Sequence, residues 1–257
     1  MGFLREIVAT VVNLVLAALR ISGSELRRAV NVVQPDPRTT VLGVLRLRAA
    51  ESSADFATKE MSNSLIFENP TLLREYCATL LSERTRGAAT AGGGTAVLEF
   101  GVWQGTSIHL WAKNCPESRV TGFDAFLGLS EDWVGTDLGK GSFSRGGTPP
   151  EVPSNVELEV GWVEDTLPGY LESTDLPSLR LVHMDFDTYS PSHFALTLLR
   201  PILQPGVLVL FDDFFGYPGW EGHEYKALID SGINFKYLAF AGGSGGGHPQ
   251  NCLIEVI

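Results

Sequence analysis

The stretch Leu179–Ser192, LRLVHMDFDTYSPS, limits the fold more than any other part of this 257-residue chain. Leu179, Leu181, Val182 and Met184 form an apolar run too dense for a half-exposed strand. It suits a strand with both faces covered, as in a parallel sheet flanked by helices. The run ends in Asp185 and Asp187, and Pro191 fits the first turn of a following helix. A second stretch, Pro205–Asp213, repeats the pattern as PGVLVLFDD: a turn, a buried run, then Asp212 and Asp213. Ligands of open α/β sheets bind at the carboxyl ends of the strands. If these two strands are neighbours, four carboxylates converge on that edge, which is costly unless a cation joins them.

The surrounding pattern supports such a sheet. Strands are expected at Ala96–Phe100, Arg119–Asp124, Val156–Val160, Asn234–Phe240 and Cys252–Val256. Helices are expected at Thr106–Lys113, Leu167–Glu172, Ser192–Leu199 and within Gly219–Ile229. Alternation of strand and helix, ending in a hairpin, implies a mostly parallel sheet with an antiparallel edge. Ala125–Pro153 is a long loop rich in Gly, Ser and Pro. Asn69-Pro70 starts a helix, with Asn as N-cap and Pro at the first helical position. Arg84–Thr95 reads as a flexible connector, and Val41–Phe67 as helix and loop without a clear period.

Composition narrows the function classes. A net charge of −11 and a pI near 4.9 argue against nucleic acid as a partner. Cys77, Cys115 and Cys252 form neither a disulfide framework nor a zinc set. They read as small buried hydrophobes in a reducing compartment, so a cytoplasmic protein, with membrane association as the alternative, is expected. Phe3–Ile21 is strongly apolar but interrupted by Arg5, Glu6, Thr10, Asn13 and Arg20, and its uninterrupted apolar part is too short to span a bilayer. Three readings stand for it: a helix packing on the domain or a second subunit, a helix on a membrane surface, or an export signal. Residues 1–68 are accordingly read as a helical extension for homo-oligomerisation or membrane-surface contact, and 69–257 as the catalytic domain.

Glu99–Ser107, EFGVWQGTS, is a strand ending in an acid, a glycine turn and a helix start. Gly101 and Gly105 allow a sharp turn and close approach of a ligand. Trp103 stands where a dinucleotide fingerprint needs glycine, and Glu99 would repel a pyrophosphate. An acid here suits an ammonium instead; a plain strand-to-helix turn is the alternative. Asp124 ends the next strand at the spacing of a ribose-binding acid, or serves as a turn cap. Trp162 either stacks on a flat base or packs in the core, and Glu164 or Asp165 could accept from an exocyclic amine. Ammonium, ribose and base together fit S-adenosylmethionine better than NAD or ATP.

The four aspartates suit a hard cation such as Mg²⁺, which takes oxygen ligands and would acidify a bound hydroxyl. Alternatively Asp213 caps the next helix and Asp187 makes an Asx-turn. His183, inside its strand, reads as a satisfied core histidine. His223, in an aromatic-rich loop, is a second candidate base.

EFGVWQGTS, GFDAF, HMDFDTYSPS and PGVLVLFDDF together resemble the metal-dependent sugar O-methyltransferases of the macrocin and novobiocin type, over about Asn69 to the C-terminus. These are class I S-adenosylmethionine-dependent methyltransferases. The resemblance implies a Rossmann-like α/β sheet of seven mostly parallel strands, the last antiparallel. It implies a cofactor wall drawn from Glu99, Gly101, Trp103, Gly105, Thr106, Ser107, Asp124, Trp162, Glu164 and Asp185. It implies Mg²⁺ on Asp185, Asp212 and Asp213, Asp187 as the base, and a hydroxyl of a sugar or glycosylated small molecule as acceptor. Phe186 departs from that pattern, in which a smaller residue separates the two acids. The rival readings are a catechol-type O-methyltransferase and a non-catalytic module that keeps the fold.

Overall fold

The computed structural model describes residues 37–90, 94–243 and 250–257. The chain divides into two compact units, Met1–Leu45 and Arg46–Ile257. The apolar segment Phe3–Ile21 lies outside the described residues. In the first unit a short 3₁₀ turn, Pro37–Thr39, precedes the start of a helix, with Thr40 Oγ1 accepting the Gly43 amide at 3.0 Å. No helix among the described residues is long and apolar enough to cross a membrane.

In chain order the elements are α1 (Val41–Glu60), β1 (Leu65–Phe67), α2 (Pro70–Thr90), β2 (Thr95–Phe100), α3 (Thr106–Asn114), β3 (Ser118–Asp124), β4 (Val156–Val160), α4 (Val163–Ser173), β5 (Ser178–Met184), α5 (Tyr189–Leu199), β6 (Leu208–Phe215), α6 (Glu224–Ser231), β7 (Phe235–Ala241) and β8 (Gln250–Val256). The sheet order is β1-β7-β8-β6-β5-β2-β3-β4. Pairing is parallel except where β8 runs against β6 and β7. The antiparallel last strand is as expected, but the sheet has eight strands rather than seven. The additional one, β1, is a three-residue edge strand beside β7.

The two Asp-bearing strands are neighbours, as their apolar runs require. β2 is buried from end to end and β5 from Leu181 on, because helices cover both faces. Successive residues alternate between those faces. Leu98, Phe100, Val182, Met184, Val209 and Phe211 face a core shared with α4, α5 and α6. Val97, Leu181, Leu208 and Leu210 face the core under α2 and α3. All three cysteines are free and buried: Cys252 in the first core, Cys77 and Cys115 in the second.

Several boundaries moved for local reasons. Asn69 caps α2 as expected, its Oδ1 accepting the Leu72 amide at 3.0 Å, but the helix runs on to Thr90 through much of the expected connector. α4 begins at Val163, so Glu164 and Asp165 lie in a helical first turn, where acids favour the helix dipole. β6 continues through Asp212 and Asp213 to Phe215 instead of stopping at them. From Arg46 on, α1 belongs to the larger unit: Phe56 packs among Phe214, Trp220, Tyr225 and Tyr237, and Ser53 Oγ accepts the Gly216 amide at 3.0 Å.

Candidate active site

A cavity of about 510 Å³ opens at the carboxyl ends of β2, β3, β5 and β6. One wall is the glycine turn after β2. Gly101 has φ +88°, and a Cβ there would collide with the carbonyl oxygen of Asp185, the residue just past β5. Gly105, at φ +84°, is the N-cap of α3. Asp124 binds this turn: its Oδ2 accepts the amides of Val102 and Trp103, both at 2.8 Å, and its Oδ1 accepts that of Phe126 at 2.7 Å. A carboxylate offers about four acceptor positions, so about one remains for a ligand. Gly101, Trp103, Thr106, Ser107, Asp124, Trp162 and Glu164 all line the cavity. Gly105 supports it from the helix cap rather than lining it.

Glu99 does not line the cavity. Period-two alternation turns it onto the α2/α3 face, fully buried. There its Oε1 accepts from Ser107 Oγ at 3.0 Å, and its Oε2 from Trp111 Nε1 at 2.6 Å and His183 Nδ1 at 3.0 Å. These bonds satisfy it without any ammonium. His183 also reaches Asp212 Oδ1 through Nε2, at 3.3 Å. With a carboxylate on each nitrogen both must donate, so the ring is an imidazolium. Burial alone would lower its pKa, but the bonds to Asp212 and Glu99 outweigh it and raise the pKa to about 10.

The same alternation separates the adjacent Asp212 and Asp213. Asp212 joins Glu99 and His183 on the α2/α3 face. Arg74 of α2 grips it with Nε at 3.2 Å and with Nη2, and Asn251 of β8 donates to it as well. Burial pushes the Asp212 carboxyl up, but His183 and Arg74 outweigh that and hold it below its ordinary range. Asp213 faces the other way. Its amide donates to Glu224 Oε2 at 3.0 Å, and its carboxyl lies beside Asp187.

Two sets of potential ligands result, each with donor atoms within 4.8 Å of one another: His183, Asp185 and Asp212, and Asp185, Asp187 and Asp213. The expected trio Asp185, Asp212 and Asp213 is not brought together as one of them. Among the described residues no salt bridge reaches Asp187 or Asp213, and Arg74 and His183 only partly offset the charge of Asp185. Burial first, then the neighbouring carboxylates, push Asp185, Asp187, Asp213 and Glu224 well above the ordinary carboxyl range. Glu224 Oε1 is buried without a hydrogen-bond partner. Asp187 sits at φ +64°, a left-handed conformation uncommon outside glycine.

His223 does not reach the cavity. Its Nε2 donates to the carbonyl oxygen of Val134 at 2.8 Å, fastening the Ala125–Pro153 loop. Sequence reasoning missed Arg74, Glu224 and Asn251. Arg74 lies on a helix whose apolar spacing explains itself, and Asn251 lies in the expected hairpin turn. Glu224 stands next to His223 and is the one such signal that could have been weighed.

Residues 98–214 match the family model of a methyltransferase domain. No curated protein matches the chain. Among solved structures, the calicheamicin methyltransferase CalS11 is 22% identical, with a TM-score of 0.50, over 81% of this chain and 91% of its own. The O-methyltransferase NovP is 20% identical, with a TM-score of 0.44, over 69% of this chain and 79% of its own. An O-methyltransferase from Bacillus cereus, in complex with SAH, is 14% identical, with a TM-score of 0.47, over 82% and 91%. The fold is the α/β methyltransferase fold. Residues 98–214 are the part of the chain similar to a methyltransferase domain, and the cavity lies at the carboxyl edge of the sheet.

Proposed function

We propose that the protein transfers a methyl group from S-adenosylmethionine to a hydroxyl of a sugar or glycosylated small molecule, with Mg²⁺ at the carboxylate cluster. The observation that carries this reading is the recessed set Asp185, Asp187 and Asp213, which opens into the same cavity as the glycine turn. Its oxygen-only donors and only partly offset charge fit a hard divalent cation. Asp185 and Asp213 are the ligands in this reading. Asp212 is tied back by Arg74, His183 and Asn251 and supplies negative potential from behind. When bound, the metal would hold the acceptor hydroxyl and lower its pKa, and S-adenosylmethionine would supply the methyl group.

The chain's own residues do the rest. The glycine turn, fixed by Asp124, seats the donor molecule against the ends of β2 and β3. Gly101 brings that turn against Asp185, so the donor wall and the acceptor wall share one backbone contact. Such fixed juxtaposition favours in-line displacement by alignment. Asp187, on the cavity wall with its proton affinity raised, takes the proton from the acceptor hydroxyl.

Calorimetry with S-adenosylhomocysteine, with and without Mg²⁺, tests the reading. Binding of both is expected, and full methyl transfer in excess chelator would remove the metal from it. Titrating Mn²⁺ into Asp213→Asn and Asp212→Asn tests the ligand set. The first should lose most metal affinity and the second should keep most of it. We also propose that residues 1–68 promote self-association, with a membrane surface as the alternative contact. Deleting the residues before Asn31 should give a smaller species in sedimentation.

A further inference from the structure

Four non-glycine residues have a left-handed backbone among the described residues, and three of them, Trp103, Phe143 and Asp187, line the cavity. Trp103 has φ +46° and Phe143 has φ +65°. A left-handed conformation is unfavourable for a bulky side chain, so the surroundings must impose it. Both rings stay in water, 45% and 40% exposed, and meet edge to face with centroids 5.7 Å apart. Packing does not require them there. Trp103 comes from the glycine turn and Phe143 from the long loop after β3, so two separate segments converge at the mouth.

The loop that carries Phe143 is fastened along its length. Leu129 and Gly141–Ser142 exchange backbone hydrogen bonds at 2.9 Å, and Phe126 O accepts the amides of Arg145 and Gly147. Glu131 accepts from both Ser190 N and Ser190 Oγ at the start of α5. Leu129, Leu138, Phe186 and Pro191 add apolar surface to the cavity wall, and Trp133 joins them with a buried Nε1 that has no hydrogen-bond partner. Polar side chains, Gln104, Thr106, Ser107 and Ser130 among them, line other parts of the same cavity. Ring faces exposed beside the apolar part of the wall fit a flat, apolar body.

We propose that Trp103 and Phe143 are specificity-determining residues that select acceptors carrying a flat aromatic ring system next to the reacting hydroxyls. The proposal rests on the hydroxyl-methylation reading above and adds to it the shape of the acceptor. The ring system lies across the edge-to-face pair at the mouth while the hydroxyls reach the carboxylates.

The test uses full-length protein saturated with S-adenosylhomocysteine and Mg²⁺. Matched 4-nitrophenyl and methyl glycosides of a panel of hexoses and deoxyhexoses are titrated against it. At least one aryl glycoside should bind about 3- to 10-fold more tightly than its methyl partner. Phe143→Ala should abolish that ratio, and Phe143→Tyr should restore most of it. Affinity for S-adenosylhomocysteine should be the same in all three proteins. The proposal is overturned if no aryl glycoside is preferred, if none binds, or if the preference survives Phe143→Ala. It is also overturned if Phe143→Ala weakens S-adenosylhomocysteine instead, because the pair would then serve the cofactor. Wild-type protein that fails to bind S-adenosylhomocysteine would bring down the methyltransfer reading itself, a result distinct from any of these.

Discussion

The acids at the ends of β2 and β3 and those at the ends of β5 and β6 stand on one edge of one sheet, in opposite electrostatic situations. Glu99 and Asp124 each accept three hydrogen bonds from the protein. Asp185, Asp187 and Asp213 face each other and Glu224, and burial, then repulsion, raises their proton affinities. A carboxylate with its acceptors filled holds structure in place; one without partners is available for chemistry. Asp212 shows that the border runs between adjacent residues, since one step along β6 takes a side chain from one situation to the other.

If that division is real, substitutions on the two sides should fail in different assays. The largest effect is expected from Asp187→Asn. Turnover should fall by about 10²–10⁴-fold with little change in melting temperature or S-adenosylhomocysteine affinity. Equal activity in the variant would move the proton acceptor elsewhere. Glu99→Ala should fail in the other direction. Removing one partner from a buried ion pair costs on the order of 3–5 kcal/mol, because His183 would remain charged beside an empty space. Denaturant unfolding reads this directly, and an unchanged midpoint would show that the network carries no weight.

Asp124→Ala sits between the two. Three backbone amides lose their acceptor while one position toward the ligand is removed, so stability should drop by roughly 1–3 kcal/mol and cofactor affinity should weaken together with it. Loss of affinity without any loss of stability would assign Asp124 to the ligand side alone. The most gradual effect, small over any one pH unit, is a pH slope. The His183 imidazolium has its folded pKa raised to about 10. Its contribution is therefore fully present below the unfolded value near 6.5 and lost as pH rises through 10, by no more than about 1.4 kcal/mol per pH unit. Glu99→Gln should flatten that slope between pH 7 and 10; an unchanged slope would place its origin in another group.

Much of this edge was legible in the sequence because dense apolar runs ending in Asp are hard to fold any other way. The strands at Val156–Val160 and around Val182 and Val209, the glycine turn and the cap at Asn69 all follow from local chemistry. What was not legible depended on facing. The spacing of Asp212 and Asp213 suggested a shared ligand set, but only the sheet shows which face each takes. Glu99 read as a ligand for an ammonium because Trp111 and His183, which fill it, lie 12 and 84 residues away. Arg74 reaches Asp212 across 138 residues, a pairing that no local pattern encodes. β1 was missed because three residues are too few to show a period. The described start of α1 gave no period either, since the buried positions of that helix are only Ala49 and Ser53.

The buried cysteines give this protein a built-in gauge of opening. Cys252 lies in the layer under α4, α5 and α6, and Cys77 and Cys115 in the layer under α2 and α3. Burial pushes all three thiols up, which suppresses the thiolate that an alkylating reagent attacks. Labelling therefore waits for the chain to part locally. Mass spectrometry of peptides carrying each cysteine would time the exposure of the two layers separately. The same reagent thus distinguishes a sheet that opens as one body from one that sheds a single helical layer first.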